Sequence, residues 1–147
     1  MAKKFHYSLD RRIINQIIIW LLKLGLAPSI YYLLTVRGRK SGQLYSVPIV
    51  VIEEDNHRWL VAPYGEVDWV RNARASGSVT LTRKQISENL TIRELNIEEA
   101  APILKKYLEA YPLTKPYFNA AVDEAPENFL EDAKTRPVFE LVQEEER

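Results

Sequence analysis

Residues 31–53 read YYLLTVRGRKSGQLYSVPIVVIE. Two apolar, β-prone runs, Tyr31–Val36 and Gln43–Glu53, flank a turn at Arg37–Gly42 that contains two glycines. This pattern predicts a β-hairpin. Pro48 lies inside the second run and cannot donate to a strand ladder, so we place it at a sheet edge or a bulge.

The alternation of strands and turns continues along the chain. Glu54-Asp55-Asn56 is a second turn, and Arg58–Ala62 is a third strand, which together predict an antiparallel meander. The remaining predicted strands are Val79–Arg83, Leu90–Leu95 and Val138–Val142.

Helical signals lie between and after these strands. Asp68 is predicted to cap a short helix from Trp69 to Ala75. A capping box at Asn96–Glu99 opens a helix towards Ala110, with a restart expected at Pro102. An irregular segment, 111–126, and one or two helical turns, 127–134, follow. About six mainly antiparallel strands with two or three such helices predict an α+β barrel rather than a parallel α/β sheet.

The N-terminal segment is a separate element. Residues 13–26 form an apolar helical pattern that Gly25 and Pro28 end, and the pattern is too short to span a bilayer. We therefore divide the chain into an N-terminal helix, 1–28, and a barrel domain, 29–147. The helix is expected to pack on the barrel as a lid or in a dimer interface. The alternative is contact with a membrane surface through residues 11–26.

Composition excludes several classes of function. The 147-residue chain has 20 basic and 20 acidic residues, so its zero net charge gives no reason to expect nucleic-acid binding. It has no cysteine and two histidines, which argues against disulfides, a thiol nucleophile and a metal site. No signal-peptide pattern is visible, so a cytoplasmic location is expected. The alternative is a cytoplasmic protein that contacts the inner face of the membrane.

Two segments carry candidate binding chemistry. In the basic turn, Arg39 offers a bidentate fork, Lys40 a point charge and Ser41 a hydroxyl, a combination suited to phosphate. In the segment 68–72, Arg71 and Asn72 add donors and Trp69 is a flat surface for a planar ring. The plainer interpretation of both segments is a solvated turn and a core tryptophan.

Taken together, four segments resemble the deazaflavin (coenzyme F-420)-dependent nitroreductase and quinone reductase family. They are Leu33–Gly42, Val47–Ile49, Val61–Gly65 and Trp69–Asn72. The resemblance covers most of residues 31–142. It implies a split β-barrel, frequent dimerisation, and hydride transfer from the reduced coenzyme to a small hydrophobic acceptor, namely a quinone, an enone or a nitro compound.

The resemblance also implies roles for individual residues. Arg39, Lys40 and Ser41 match the turn that holds the coenzyme's phosphate and glutamyl tail. The strand expected to line the deazaflavin is Tyr45, Ser46, Val47, Pro48, Ile49 and Val50. Further cofactor contacts are expected from Ala62, Pro63, Tyr64, Trp69, Arg71 and Asn72. Tyr117 matches a tyrosine near the ring and is the expected proton donor, with Tyr64, Tyr107 and Tyr111 as alternatives.

The chain departs from the family pattern at two places. Tyr45 stands where many members have Arg, and Pro63-Tyr64 where they have Ser-Lys. Arg37, Arg71 and Arg74 are candidates to supply the missing charge. FMN, with a single phosphate, is the alternative cofactor. The alternative function is a non-catalytic barrel that binds a flavin, a lipid or another hydrophobic ligand.

Overall fold

The structure, a computed structural model, describes residues 16–21 and 31–143. Six strands form a closed barrel in the order β1-β2-β3-β6-β5-β4, and every neighbouring pair is antiparallel. The predicted α+β barrel is therefore confirmed. The strands are β1 Tyr31–Arg37, β2 Leu44–Glu54, β3 His57–Val61, β4 Ser78–Arg83, β5 Ile86–Glu94 and β6 Val138–Gln143.

Within residues 31–143, three α-helices and two 3₁₀ helices surround the barrel. The α-helices are α1 Asp68–Ser76, α2 Ile97–Ala110 and α3 Leu130–Ala133, and the 3₁₀ helices are Pro112–Tyr117 and Pro126–Phe129. The helical turns predicted within 127–134 are confirmed. The segment 111–126, predicted to be irregular, contains one complete 3₁₀ helix.

Two hairpins are closed by two-residue turns in the left-handed conformation. Asp55 and Asn56, with φ of 51° and 67°, connect β2 to β3, and Lys84 and Gln85, with φ of 52° and 66°, connect β4 to β5. Such turns match the twist of antiparallel strands. The second turn places the start of β5 at Ile86 rather than at the predicted Leu90.

Cross-strand polar contacts explain why β5 extends beyond its apolar residues. The Thr80 hydroxyl donates to Asn89 Oδ1 at 2.8 Å, and the hydroxyls of Thr82 and Ser87 are also 2.8 Å apart. These pairs stabilise the first half of the strand, which has no apolar alternation to mark it.

The hydrophobic core has two parts. Leu34, Leu60, Leu81 and Leu90 meet inside the barrel and are fully buried. Outside it, α2 packs on β2, β3 and β6 with Leu104 at the centre of the contact. The barrel is thereby covered on this side.

Helix boundaries confirm one predicted cap and correct two predictions. Asn96 and Glu99 form the predicted capping box at 2.8 and 3.1 Å. Asp68, however, is the first residue of α1 and caps nothing, because Val67 holds the cap position without a side-chain hydrogen bond. The expected restart at Pro102 is also wrong: α2 is continuous through it, since the buried face on both sides holds the helix together.

Charged groups close the barrel end remote from the turn Gly38–Gly42. The Tyr32 hydroxyl donates to Glu53 Oε1 at 3.1 Å, and the Arg83 guanidinium lies 4.1 Å above the Tyr32 ring. Arg58 forms a bidentate pair with Glu88 at 2.8 and 3.2 Å. Burial, followed by the charge of Glu53, raises the pKa of Tyr32, whereas the hydrogen bonds from Arg58 lower the pKa of Glu88.

Of the N-terminal segment, residues 16–21 are helical, as predicted. Ile17 and Trp20 are 55% and 69% exposed on this short stretch. The rest of the predicted helix and the boundary between 28 and 29 lie outside the described residues, so the division into two parts stays a prediction. Within 16–21 and 31–143, no helix is both long and apolar enough to cross a membrane.

Candidate functional site

A cavity of about 1000 Å³ lies against β2. It exists because β2 pairs with β3 only from Val51 to Glu54, while Leu44–Val50 pairs with β1 alone. Among the described residues, no strand pairs with the second edge of this half-strand, which lines the cavity. The lining includes most of the predicted cofactor residues, namely Arg39, Lys40, Ser41, Tyr45, Ser46, Val47, Pro48, Ile49, Val50, Pro63, Tyr64, Trp69, Arg71 and Asn72.

The basic turn at one end of the cavity is held by its own backbone. The Gly38 N–H donates to the Gln43 carbonyl at 2.7 Å, and the Gly42 N–H donates to the Gly38 carbonyl at 3.0 Å. Gly42 has a φ of 74°, where glycine is favoured. Arg37 Nη1 donates to the Gly42 carbonyl at 2.9 Å, so this arginine braces the turn. The turn thus presents Arg39, Lys40 and Ser41 to the cavity on a preformed frame.

Asn72 fixes the position of Arg39. Its Oδ1 accepts from the Arg39 backbone N–H at 3.1 Å and from Arg39 Nη1 at 2.7 Å. Asn72 is buried in α1, so the turn and the helix are joined by a side chain that cannot move freely. In the described contacts Asn72 orients Arg39 and also lines the cavity, and its predicted cofactor contact stays a prediction.

Tyr45 packs on the same turn. Its hydroxyl lies 3.2 Å from Ser41 Oγ. A Cβ atom at Gly38 would lie 2.6 Å from the edge of the Tyr45 ring, which only glycine avoids. Tyr45 therefore contributes a hydroxyl and a ring to this end of the cavity.

The three arginines that were expected to supply the missing positive charge differ in their contacts. Arg71 lines the cavity, where its charge can act on a ligand. Arg74 does not: it pairs with Glu94 and Glu66, each at 2.8 Å, on another surface. Arg37 is engaged with the Gly42 carbonyl. Only Arg71 of the three joins Arg39 and Lys40 along the cavity wall that the structure describes.

An unpredicted carboxylate lies among these cations. Asp68 Oδ1 is 3.7 Å from Arg39 Nη2 and 3.7 Å from Arg71 Nη1. Asp68 was not a predicted site residue, because an acidic residue at a helix start is typical of a cap. The contact with Arg71 is local, three residues on in α1, whereas the contact with Arg39 exists because the barrel brings the turn close to α1.

Aromatic side chains form the middle of the cavity. Tyr64 and Trp69 line it, and Trp69 rests on Phe139 with ring centroids 6.0 Å apart. Ala62 is buried behind the lining, where its N–H donates to the Pro137 carbonyl at 2.9 Å. Ala62 therefore supports this wall from behind.

Tyrosines mark the end of the cavity remote from the basic turn. Tyr31, Tyr107 and Tyr111 line it, and the hydroxyls of Tyr31 and Tyr111 are 2.8 Å apart. Tyr31 was not a predicted site residue, because 80 residues separate it from its partner. Tyr117 lies behind the lining, with its ring edge-on to Tyr64 at 4.9 Å. Its predicted catalytic role stays a prediction.

A buried ion pair fixes the segment that carries Tyr117. Asp132 is fully buried and accepts from the backbone N–H groups of Asn119 at 2.8 Å and Ala120 at 3.0 Å. Arg136 Nη1 lies 3.1 Å from Asp132 Oδ1, and Arg136 Nη2 donates to the Tyr117 carbonyl. Burial lowers the pKa of Arg136, which the charge of Asp132 opposes. These contacts join residues 117–120 to Asp132 and Arg136.

The described residues contain no group of three or more His, Asp or Glu side chains placed to hold a metal ion. What the cavity combines is a cationic end, an aromatic middle and a hydroxyl-bearing end. This arrangement suits an elongated planar ligand with an anionic arm.

Comparison with known proteins agrees with this chemistry. The sequence profile of the F420H(2)-dependent quinone reductase family matches residues 23–123. A solved F420-H2 dependent reductase (FDR-A) is 26% identical, with a TM-score of 0.53, over 77% of this chain and 94% of that chain. No protein with curated annotation shows significant sequence similarity.

Two structures of lower sequence identity share the fold. One, described as a domain-swapped dimer, is 23% identical with a TM-score of 0.57 and covers 91% of this chain and 99% of that chain. The other, an FAD-binding protein from Mesorhizobium loti, is 15% identical with a TM-score of 0.50, over 86% and 89% of the two chains. At these identities the likeness concerns the split barrel itself.

Proposed function

Since the chain belongs to the F420H(2)-dependent quinone reductase family, we propose that this deazaflavin-dependent oxidoreductase passes its hydride to a quinone, with coenzyme F420 held along β2. The observation that carries the proposal is the cavity with Arg39 and Lys40 at one end and paired tyrosine hydroxyls at the other. The family assignment favours neither FMN as the cofactor nor a non-catalytic function.

The residues fit the two ends of the coenzyme. Arg39, oriented by Asn72, and Lys40, which forms no ion pair within the described part of the chain, are placed to bind the phosphate-bearing arm. Trp69, Tyr64 and the half-strand Tyr45–Val50 offer flat and apolar surfaces to the ring. Pro48 brings no N–H to this wall, so the cavity side of the strand is less polar there.

When bound, the reduced coenzyme supplies a hydride, and a quinone that accepts it also takes up one proton to become the hydroquinone. We assign the proton to the hydroxyl pair of Tyr31 and Tyr111. The two hydroxyls are 2.8 Å apart, so a proton that one of them passes to the quinone oxygen can be drawn from the other. Tyr117 remains the second candidate through its contact with Tyr64.

We expect the variant Tyr111→Phe to lower kcat with menadione about 10-fold or more, because it removes one hydroxyl of the pair. The affinity for oxidised coenzyme should stay within twofold, since the basic turn is untouched. Turnover is followed through the absorbance of the oxidised coenzyme as it forms. A larger fall in kcat for Tyr117→Phe than for Tyr111→Phe would assign the donor to Tyr117.

The acceptor class is tested by competition. We expect a higher kcat/KM for menadione than for an enone or a nitroaromatic compound of similar size. Equal or higher values for the nitro compound would contradict the assignment to quinones while leaving the hydride chemistry intact.

We further propose a homodimer in the cytoplasm. The exposed Ile17 and Trp20 lie on the short helix whose Ile18 lines the cavity, so a second copy would cover apolar surface there. Light scattering measures the mass of the protein in solution. Liposome co-sedimentation tests the alternative, a membrane surface against residues 11–26.

A further inference from the structure

Asp68 is the only carboxylate among the described residues that line the cavity. Its side chain is 84% exposed and lies between Arg39 and Arg71, at 3.7 Å from each. Both distances exceed a hydrogen bond, so charge alone holds these contacts. An exposed pair of this kind is weak and is easily exchanged for another anion.

Asp68 is not needed to position Arg39. Asn72 already accepts from the backbone N–H and from Nη1 of Arg39, at 3.1 and 2.7 Å. The pairing of Arg74 is different in kind, because Glu94 and Glu66 engage that guanidinium at 2.8 Å. Arg74 is therefore neutralised by close contacts, whereas Arg39 and Arg71 share a distant carboxylate that a ligand can replace.

We propose that Asp68 is a charge-selectivity residue. Its carboxylate lies between Arg39 and Arg71, so a ligand phosphate that binds these arginines must either displace the carboxylate or bind beside it. This proposal deepens the proposed function and rests on it for the identity of the ligand. Arg39, Lys40 and Arg71 with Asp68 give this end of the cavity a net charge of +2. Each additional carboxylate on the anionic arm of the ligand is repelled by the negative charge of Asp68. The residue therefore favours an arm with few carboxylates.

The variant Asp68→Asn tests this proposal, because it keeps the shape of the side chain and removes its charge. The matched control is Glu66→Gln, which makes the same change of charge two residues earlier, on a side chain that does not line the cavity. Because both carboxylates are exposed, we expect both variants to fold.

Inorganic pyrophosphate is the first probe. Its binding is followed by NMR shifts of the backbone amides of residues 38–42. We expect the Kd of Asp68→Asn to be about fivefold lower than that of the unchanged protein, from one unit charge at short range near the surface. Glu66→Gln should stay within twofold. Equal or weaker binding by Asp68→Asn, or no binding by any of the three proteins, would overturn the proposal.

Coenzyme forms with one glutamate and with several glutamates are the second probe, titrated by fluorescence. We expect Asp68→Asn to gain more affinity for the long-armed form than for the short-armed form. An equal gain for both would overturn the selectivity role. If pyrophosphate binding changes as predicted and neither coenzyme form binds, the proposed function fails and the role of Asp68 in anion binding stands. If both forms bind and Asp68→Asn changes nothing, the proposed function stands and this inference fails.

Discussion

Replacing Asp132 with alanine is expected to lower the free energy of unfolding by about 3–5 kcal/mol, because the change leaves the buried Arg136 without its counter-charge. The fully buried carboxylate also accepts hydrogen bonds from the backbone N–H groups of Asn119 and Ala120, and both groups would lose their partner in the variant. Urea denaturation followed by circular dichroism measures the loss.

The neighbouring residue supplies the control for this prediction. Glu131 has a side chain that is 71% exposed and pairs with Lys134 at 3.0 Å on the helix surface. The variant Glu131→Ala should change the free energy of unfolding by less than about 0.5 kcal/mol. A loss below about 1 kcal/mol for Asp132→Ala would show that the pair with Arg136 does not hold residues 117–120.

Replacing Arg39 with alanine should weaken coenzyme binding about 100-fold, equivalent to about 2.7 kcal/mol. The guanidinium is held by Asn72 at the edge of the cavity, so its remaining donors are directed at an anion without a large loss of side-chain entropy. The measurement is a fluorescence titration with oxidised coenzyme F420 at fixed ionic strength.

Arg93→Ala is the matched control for the loss of one positive charge. Arg93 lies on β5 and pairs with Glu99 and Glu140, and it does not line the cavity. We expect this variant to bind the coenzyme within twofold of the unchanged protein. A fall of less than threefold for Arg39→Ala would mean that the phosphate binds elsewhere.

Local signals in the sequence predict much of this fold. Each of the correctly predicted features depends on residues that are close in the chain. They are the turn with its two glycines, the position of Pro48 on a half-strand that pairs with β1 only among the described strands, and the capping box at Asn96. The start of β5 escaped prediction because Lys84 and Gln85 form a left-handed turn without glycine.

The parts of the site that depend on long-range packing could not be predicted from the residues. Tyr31 meets Tyr111 only because α2, which packs on β2, β3 and β6, brings its C-terminal end to the start of β1. Asp68 meets Arg39 because α1 lies against the basic turn. Asp132 and Arg136 are four residues apart, a spacing typical of a solvated helix face. Their burial is set by the segment 117–120 that folds over them.

We propose that the cavity along β2 binds reduced coenzyme F420 and that hydride transfer to a quinone takes place there. The test is to mix the purified protein anaerobically with reduced coenzyme and menadione and to measure the amounts of oxidised coenzyme and menadiol formed. We expect equal amounts of the two products at a rate that saturates with coenzyme, and a large loss of that rate in Arg39→Ala at low coenzyme concentration. Absence of saturable coenzyme binding, together with no oxidation above the protein-free rate, would contradict it.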